Sequence, residues 1–173
     1  MLNYVLLDAA RLVQNLQKAK QINTSFDCLY IGYSTTELND VAPYLFTFPG
    51  NNEFTSWIYE KGWGDSWGII VQTTIRFEEC WKHFRKFLLV KTEDGEELYF
   101  RFYDPRVLKI FLPTCDKDQI LEFFGPIESF IVEGDIKEEA IRFWQQNGIL
   151  KQEILPVEKV FGKFATIEPI NAK

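Results

Sequence analysis

The chain has 173 residues, of which 46% are hydrophobic and 16% are aromatic. This length suits one domain, and this composition supports a substantial core and excludes an intrinsically disordered chain. The formal net charge of −6 and the sequence pI of about 4.9 argue against binding to nucleic acid or to an anionic membrane, which usually requires a basic surface.

The cysteines and the N-terminus indicate the compartment. Cys28, Cys80 and Cys115 lie in or beside apolar runs, and their odd number and spacing indicate reduced structural cysteines. The N-terminus has no basic region and reaches Asp8 too early for a signal peptide. No run approaches the roughly 20 apolar residues of a membrane span. We therefore expect a soluble, cytoplasmic protein.

Strand and helix patterns alternate in the first half of the chain. The apolar run at 3–7 predicts a strand, and Asp8 is placed to cap an amphipathic helix at 9–20. Apolar and β-branched runs predict three further strands, at 28–32, 44–48 and 66–73. Capping and stop signals predict two helices, at 34–42 and 53–61, and Asn51 or Asn52 is placed to cap the second.

The second half contains the clearest local unit, in which Asp94-Gly95 separates two strand-like runs and predicts a β-hairpin. Apolar periodicity, caps and breakers predict four helices, at 77–88, 105–112, 116–124 and 135–146. A last strand is predicted at 127–132. The tail at 149–173 has weak periodicity, which favours irregular or short strand structure.

Together these elements predict an α/β fold, with a mixed β-sheet and a C-terminal β-hairpin unit, flanked by helices. Helices between strands favour parallel strand pairs, whereas the hairpin requires an antiparallel pair. Residues 1–133 are expected to form the main α/β domain. Residues 134–173 are expected to add a short helix and a tail that pack on the same domain.

Few residues suggest catalysis. His83 is the only histidine, and the sequence pairs it with no nucleophile, so a structural role on a surface or half-buried helix face is favoured. A small enzyme that uses His83 or a pair of carboxylates stays open as a less favoured alternative. We predict no catalytic residues, no metal site and no cofactor.

The stretch GWGDSWG at 62–68 is rich in glycine but lacks the Gly-Lys-Ser/Thr of a phosphate-binding loop and leads into a strand. Its glycines favour a helix stop and a tight turn. Trp63 and Trp67 are predicted either to cover the strand end or to form part of a partner-binding pocket.

A local basic cluster is formed by Lys82, Arg85, Lys86 and Lys91. A solvated helix face is the usual role of such a cluster, and a docking patch for an acidic partner segment is the alternative.

The stretch YFRFYDPRVL at 99–108 joins a strand to a helix. Alternation predicts that Leu98, Phe100 and Phe102 point into the core. It places Tyr99, Arg101 and Tyr103 on the other face, where arginine can lie against tyrosine rings and where a partner can bind. Asp104 and Pro105 are typical of a helix N-cap and first position, and Arg106 in the first turn requires an acid beside it. We predict that Arg101 and Arg106 brace this junction.

These motifs resemble a bacterial family, the domain of unknown function 4123. The resemblance rests on GWGDSWGIIV, HFRKFLLVKTEDGEELYFRFYDPRVL and FFGPIESFIVE in that order, and it covers about residues 3–133. It implies that residues 1–133 form an adaptor-like domain of a type VI secretion chaperone. Such a protein binds a secreted effector and helps load it onto the VgrG spike protein, without catalysis. An immunity-type, toxin-binding protein is the alternative from the same binding class.

Overall fold

The structure is a computed structural model that describes residues 1–30, 40–50, 52–91 and 94–162. Its centre is a seven-stranded sheet with the strand order β2-β3-β1-β4-β7-β8-β9, and a separate two-stranded sheet consists of β5 and β6. The strands are β1 (Leu2–Asp8), β2 (Phe26–Cys28), β3 (Pro43–Thr47), β4 (Gly68–Thr73), β5 (Leu89–Lys91), β6 (Glu97–Tyr99), β7 (Ile127–Glu133), β8 (Glu139–Gln146) and β9 (Ile149–Pro156).

Seven α-helices and one 3₁₀ helix occur in the described ranges. The α-helices are α1 (Ala9–Leu12), α2 (Asn15–Ile22), α3 (Glu53–Lys61), α4 (Phe77–Arg85), α5 (Pro105–Phe111), α6 (Lys117–Phe124) and α7 (Glu158–Phe161). The 3₁₀ helix at Leu112–Thr114 contains Pro113 and separates α5 from α6, as the sequence predicts.

The strand β1 explains why the large sheet is covered on both faces. Its side chains alternate, so Tyr4 and Leu6 join one core cluster while Val5 and Leu7 join the other. We call these the α4 face, which is covered by α4, α5 and α6, and the α3 face, which is covered by α2, α3 and α7. A strand that is buried on both faces reads as a continuous apolar run, as LNYVLLD does.

The α/β class with flanking helices is confirmed, but the expected parallel strand pairs are wrong. Every pair in the described sheets is antiparallel. The strand β1 lies between β3 and β4 and runs antiparallel to both, although helices precede each of these two strands along the chain. Helices between strands therefore do not require parallel neighbours, because a crossover can also end antiparallel to its starting strand.

Two predicted helices differ from the structure. The helix at 9–20 is interrupted at Val13, whose φ of 50° lies in the left-handed region, and it forms α1 and α2 instead. The helix predicted at 135–146 is wrong, because 139–146 is the strand β8. Residues 147–148 form a two-residue turn into β9, so 127–132 is not the last strand and the tail continues the large sheet.

Local chemistry predicts the other elements well. Asn52 caps α3 by accepting a hydrogen bond from the Thr55 amide at 2.9 Å. The hairpin β5–β6 is confirmed, and Gly95 has the positive φ of 83° that its turn requires. The strand predicted at 28–32 overlaps the observed β2 only at Cys28, and its residues 31–32 lie outside the described residues. Most of the helix predicted at 34–42 also lies outside them, and the described residues 40–42 form a turn.

Gly68 allows the close approach of β4 to β1. A Cβ atom at this position would lie 1.9 Å from the backbone oxygen of Leu6. We predict that Gly68→Ala lowers the free energy of unfolding by about 1–3 kcal/mol, because the strands must separate to admit the methyl group. Gly50→Ala is the matched control, since a Cβ there meets nothing within 4 Å. Equal stability of the two variants in urea unfolding would contradict this role of Gly68.

Candidate binding surface

The junction at Asp104-Pro105-Arg106 begins α5. The Asp104 carboxylate accepts a hydrogen bond from the Arg106 amide at 3.0 Å, and Pro105 occupies the first helical turn. The Arg106 guanidinium donates to the same carboxylate through Nε at 3.0 Å and Nη2 at 2.6 Å. The acid that the sequence places beside Arg106 is therefore Asp104, which serves as both cap and counter-ion.

Arg101 connects this junction to the start of the chain. Its Nη2 donates to Oδ2 of Asp8, and the same nitrogen lies 3.7 Å from Oδ2 of Asp104. Asp8 is completely buried, and its Oδ1 accepts a hydrogen bond from the Ala10 amide at 3.0 Å. The sequence identifies Asp8 as a helix cap but not as the partner of Arg101, since 93 residues separate the two.

The ion pairs favour the charged forms of Arg101 and Asp104. The hydrogen bond to Asp8 raises the pKa of Arg101. Burial would raise the pKa of Asp104, but the side-chain and backbone hydrogen bonds from Arg106 outweigh it, and the pKa lies below its ordinary value. Both carboxylates are paired with an arginine, so their geometry is that of a structural brace.

The alternation predicted for 98–103 is partly wrong, because β6 ends at Tyr99 and residues 101–104 form a turn. Leu98 is 49% exposed instead of pointing into the core, whereas Tyr103 is buried at 2% exposure. Burial and a hydrogen bond with Tyr30 raise the pKa of Tyr103. Tyr103 is therefore part of the framework rather than of an open Tyr/Arg face.

The β5–β6 hairpin presents most of the apolar surface in this region. Its register places Val90 opposite Leu98 on one face, and Leu89 opposite Tyr99 on the other. All four side chains are at least 39% exposed, and we call these four residues the hairpin surface. A two-stranded sheet is marginally stable by itself in water, so this hairpin depends on the body that it contacts.

A pocket of about 220 Å³ lies where the hairpin meets the body. Its lining combines apolar or aromatic groups with two cations: Leu29, Tyr30, Leu88, Leu89, Tyr99, Arg85 and Lys86. The rings of Tyr30 and Tyr99 lie 5.4 Å apart at its wall. The pocket therefore adjoins the predicted site residue Tyr99 and part of the basic cluster.

The other cations of the basic cluster are engaged. Lys82 pairs with Glu78 at 2.7 Å, and Lys91 pairs with Glu97 at 3.6 Å. Arg85 lies over the Trp81 ring at 4.6 Å, while Lys86 is exposed. This arrangement leaves Arg85 and Lys86 as the cations that line the pocket.

The glycine-rich stretch at 62–68 binds a carboxylate of the protein itself. Glu133 Oε2 accepts hydrogen bonds from the amides of Gly64 at 2.8 Å and Ser66 at 3.1 Å, while its Oε1 accepts from the Ser66 hydroxyl at 2.8 Å. Trp63 and Trp67 are only 6% and 7% exposed and pack in the α3 face. Their side chains belong to the core, which leaves little surface for a partner-binding pocket there.

His83 is buried rather than on a surface or half-buried face. Its Nε2 lies 2.9 Å from the carbonyl oxygen of Phe123, and the rings of Phe84 and Phe87 flank it. Burial lowers the pKa of His83, and the nearby Lys86 lowers it further. These contacts fit a neutral, structural histidine that joins α4 to α6.

Among the residues that the structure describes, no group of three or more metal-ligating side chains comes together. The three cysteines are free, and burial raises the pKa of Cys80 to about 12. Every helix in the described ranges falls short of the length and apolar character that crossing a bilayer demands.

Residues 3–122 match the family described as Domain of unknown function (DUF4123), which is more than half of the chain. The chain belongs to this family. No curated protein and no solved structure matches it. The matched range of this DUF4123 protein includes Asp8, the hairpin surface and the arginine junction, whereas Glu133 lies beyond it.

Arg101 supplies the charged partner of a buried acid, which gives a direct test of the brace. We predict that Arg101→Ala lowers the free energy of unfolding by about 1–3 kcal/mol, because Asp8 loses its charged donor. Lys91→Ala, whose pair with Glu97 is exposed, should change it by no more than about 0.5 kcal/mol. Chemical denaturation measures both. Unchanged stability of Arg101→Ala combined with loss of partner binding would make Arg101 a contact residue.

His83 gives the DUF4123 protein a specific dependence on pH. Because burial lowers the pKa of His83, the unfolded state takes up this proton at higher pH than the folded state does. We predict that the free energy of unfolding falls as pH decreases from about 7 to 5. His83 is the only histidine of the chain, and histidine is the side chain that ordinarily titrates in this range. His83→Gln should flatten this dependence. An identical pH profile for the variant would contradict a buried, neutral His83.

Proposed function

We propose that this DUF4123 protein is a non-enzymatic adaptor, or chaperone, that binds a type VI secretion effector in the cytoplasm and helps load it onto the VgrG spike protein. The observation that carries the proposal is the family match over residues 3–122. That range includes the stretch FRFYDPRVL, and the resemblance of this stretch to the family's motif implies the adaptor role.

The hairpin surface supports a binding role. Val90 and Leu98 are 40% and 49% exposed and lie opposite each other on the face that points away from the pocket side. Contiguous exposed apolar side chains on a hairpin are typical of a site for another protein, because they gain free energy when a partner removes them from water. The effector segment is proposed to cover this pair.

Of the predicted site residues, Tyr99 belongs to the hairpin surface and Arg101 follows it by two positions. Tyr99 lines the pocket with Arg85 and Lys86, and the Arg101 side chain is 43% exposed despite its ion pair. An acidic group on the effector could therefore meet cations at the rim while its apolar residues cover the hairpin. Trp63, Trp67 and Tyr103 contribute by holding the framework.

No catalytic step is part of the proposal. His83, which is the candidate general base of the enzyme alternative, faces a backbone carbonyl and phenylalanine rings. The carboxylates of Asp8 and Asp104 are paired with arginines and hydrogen-bonded to backbone amides. These environments favour structural roles for the three groups.

The proposal predicts a stable complex with an effector or spike protein encoded beside this chain. Co-expression followed by affinity purification should recover that complex. Leu98→Lys should weaken effector binding at least about tenfold without lowering the melting temperature, because it places a charge in the proposed contact at an exposed site. Ile136→Lys is the matched control, since Ile136 is also exposed but lies between β7 and β8.

Three results would contradict the adaptor role. Failure to bind any neighbouring effector or spike protein would remove its basis. Equal binding by Leu98→Lys and Ile136→Lys would move the contact away from the hairpin surface. Rescue of cells from the toxin without any effect on secretion would favour an immunity-type, toxin-binding protein.

A further inference from the structure

The strand β9 forms an open edge of the large sheet. It has eight residues, and no strand in the described ranges pairs with its outer side. The opposite edge strand, β2, has only three residues. Proteins usually shorten or cover such edges because unpaired backbone groups attract other strands. On β9, Ile149 and Ile154 are 58% and 66% exposed. The edge therefore presents apolar as well as charged side chains, and charge alone does not protect it from pairing.

The turn before β9 determines which of its residues face outward. Asn147 and Gly148 both have positive φ, and they form a two-residue turn that places Gln146 opposite Ile149. Hydrogen-bonded residues then alternate along the strand, starting from Ile149. The Val157 amide donates to the Glu138 carbonyl at 2.8 Å, which continues the same odd-numbered series. The backbone groups of Leu150, Gln152 and Ile154 therefore point away from β8.

We propose that a second copy of this chain pairs with this edge, with the two β9 strands antiparallel about a two-fold axis at Gln152. In this register Leu150 of each copy lies opposite Ile154 of the other, which places apolar pairs on the α4 face. Lys151 of each copy lies opposite Glu153 of the other on the α3 face. The pairing therefore creates two apolar pairs and two pairs of opposite charge, which are the contacts that stabilise antiparallel strands.

The charges also select this register over its neighbours. A shift by two residues in one direction places Lys151 opposite Lys151 of the other copy, and a shift in the other direction places Glu153 opposite Glu153. Like charges directly opposite each other destabilise a strand pair. Pro156 belongs to the same outward-facing series but has no amide proton to donate, so the paired segment ends before it. Among these three neighbouring registers, only the one with its axis at Gln152 pairs opposite charges.

Glu153 already contacts a cation of its own copy. Its Oε1 lies 3.3 Å from Nη1 of Arg142 on β8, so its side chain is oriented across the sheet. In the dimer Glu153 would lie between Arg142 of its own copy and Lys151 of the second copy. An extended effector segment at the same edge would need this charge pattern by coincidence, whereas a second copy supplies it by symmetry. The inference is independent of the proposed adaptor function.

Two charge-reversal variants test the interface. Lys151→Glu and Glu153→Lys, each as the full chain, place like charges opposite each other twice and should each raise the dimer dissociation constant about tenfold or more. An equimolar mixture of the two variants restores opposite charges at both positions and should form a heterodimer. Lys18→Glu is the control for charge, since Lys18 is exposed on α2, which lies beside β3 near the opposite edge.

The measurement is sedimentation velocity from about 1 to 100 μM, because dimer formation depends on concentration. The wild-type chain and Lys18→Glu should reach twice the chain mass of 20.4 kDa. A monomeric wild-type chain would overturn the proposal. This outcome would overturn it even if an effector segment were found to bind the β9 edge instead. Single variants that dimerise like the wild type would overturn it. A mixture of folded variants that stays monomeric would do so too, with thermal unfolding reporting the folding of each variant.

Discussion

Asp8 is completely buried at the end of the inner strand β1, so its carboxylate must find donors inside the protein. One oxygen caps α1 through the Ala10 amide, and the other accepts from Arg101. The strand that organises both faces of the sheet is thereby tied to the turn that leads from the hairpin into α5. Arg101 in turn lies near Asp104, which begins α5. The position of the hairpin surface therefore depends on an ion pair whose acid, Asp8, lies far from the hairpin in sequence.

A second buried carboxylate has the same role on the other side of the molecule. Glu133, at the end of β7, accepts three hydrogen bonds from the glycine-rich loop through Gly64 and Ser66. Both loop residues have positive φ, which turns their amides toward one point and forms a concave anion site. The loop thus has the donor geometry of an anion-binding site, but the anion is a side chain of the protein. The carboxylate compensates for the strained backbone at Ser66, and the adjacent Trp63 and Trp67 are held in the core.

Local chemistry explains why the helix cap at the arginine junction and the hairpin turn could be predicted from the sequence. The Asp104 cap, its pair with Arg106 and the hairpin turn depend on residues within a few positions of each other. The Asp8–Arg101 pair could not be predicted, because only the topology brings together residues that are 93 positions apart. The segment that contains β8 was predicted as a helix because Asp135 and Glu138 have capping spacing and Gly148 resembles a helix stop. Its strand pattern is not a simple alternation, since Ala140 is buried on the α3 face and Phe143 on the α4 face. Asn147-Gly148, which fits a helix end, is instead the turn of a hairpin.

The family match ends within α6, yet the folded unit of this chain extends beyond it. The strand β7 pairs with β4, and its residues contribute to both core faces, with Phe130 in one and Ile131 in the other. Without β7, the matched strand β4 would have an exposed edge, and the loop before it would lose the carboxylate of Glu133. The matched residues therefore carry the hairpin surface and the arginine junction, while β7 completes the sheet that holds them. The exposed side chains of the hairpin surface can accordingly be changed while the buried carboxylates stay fixed, because the stability of the fold depends on the carboxylates and not on those side chains.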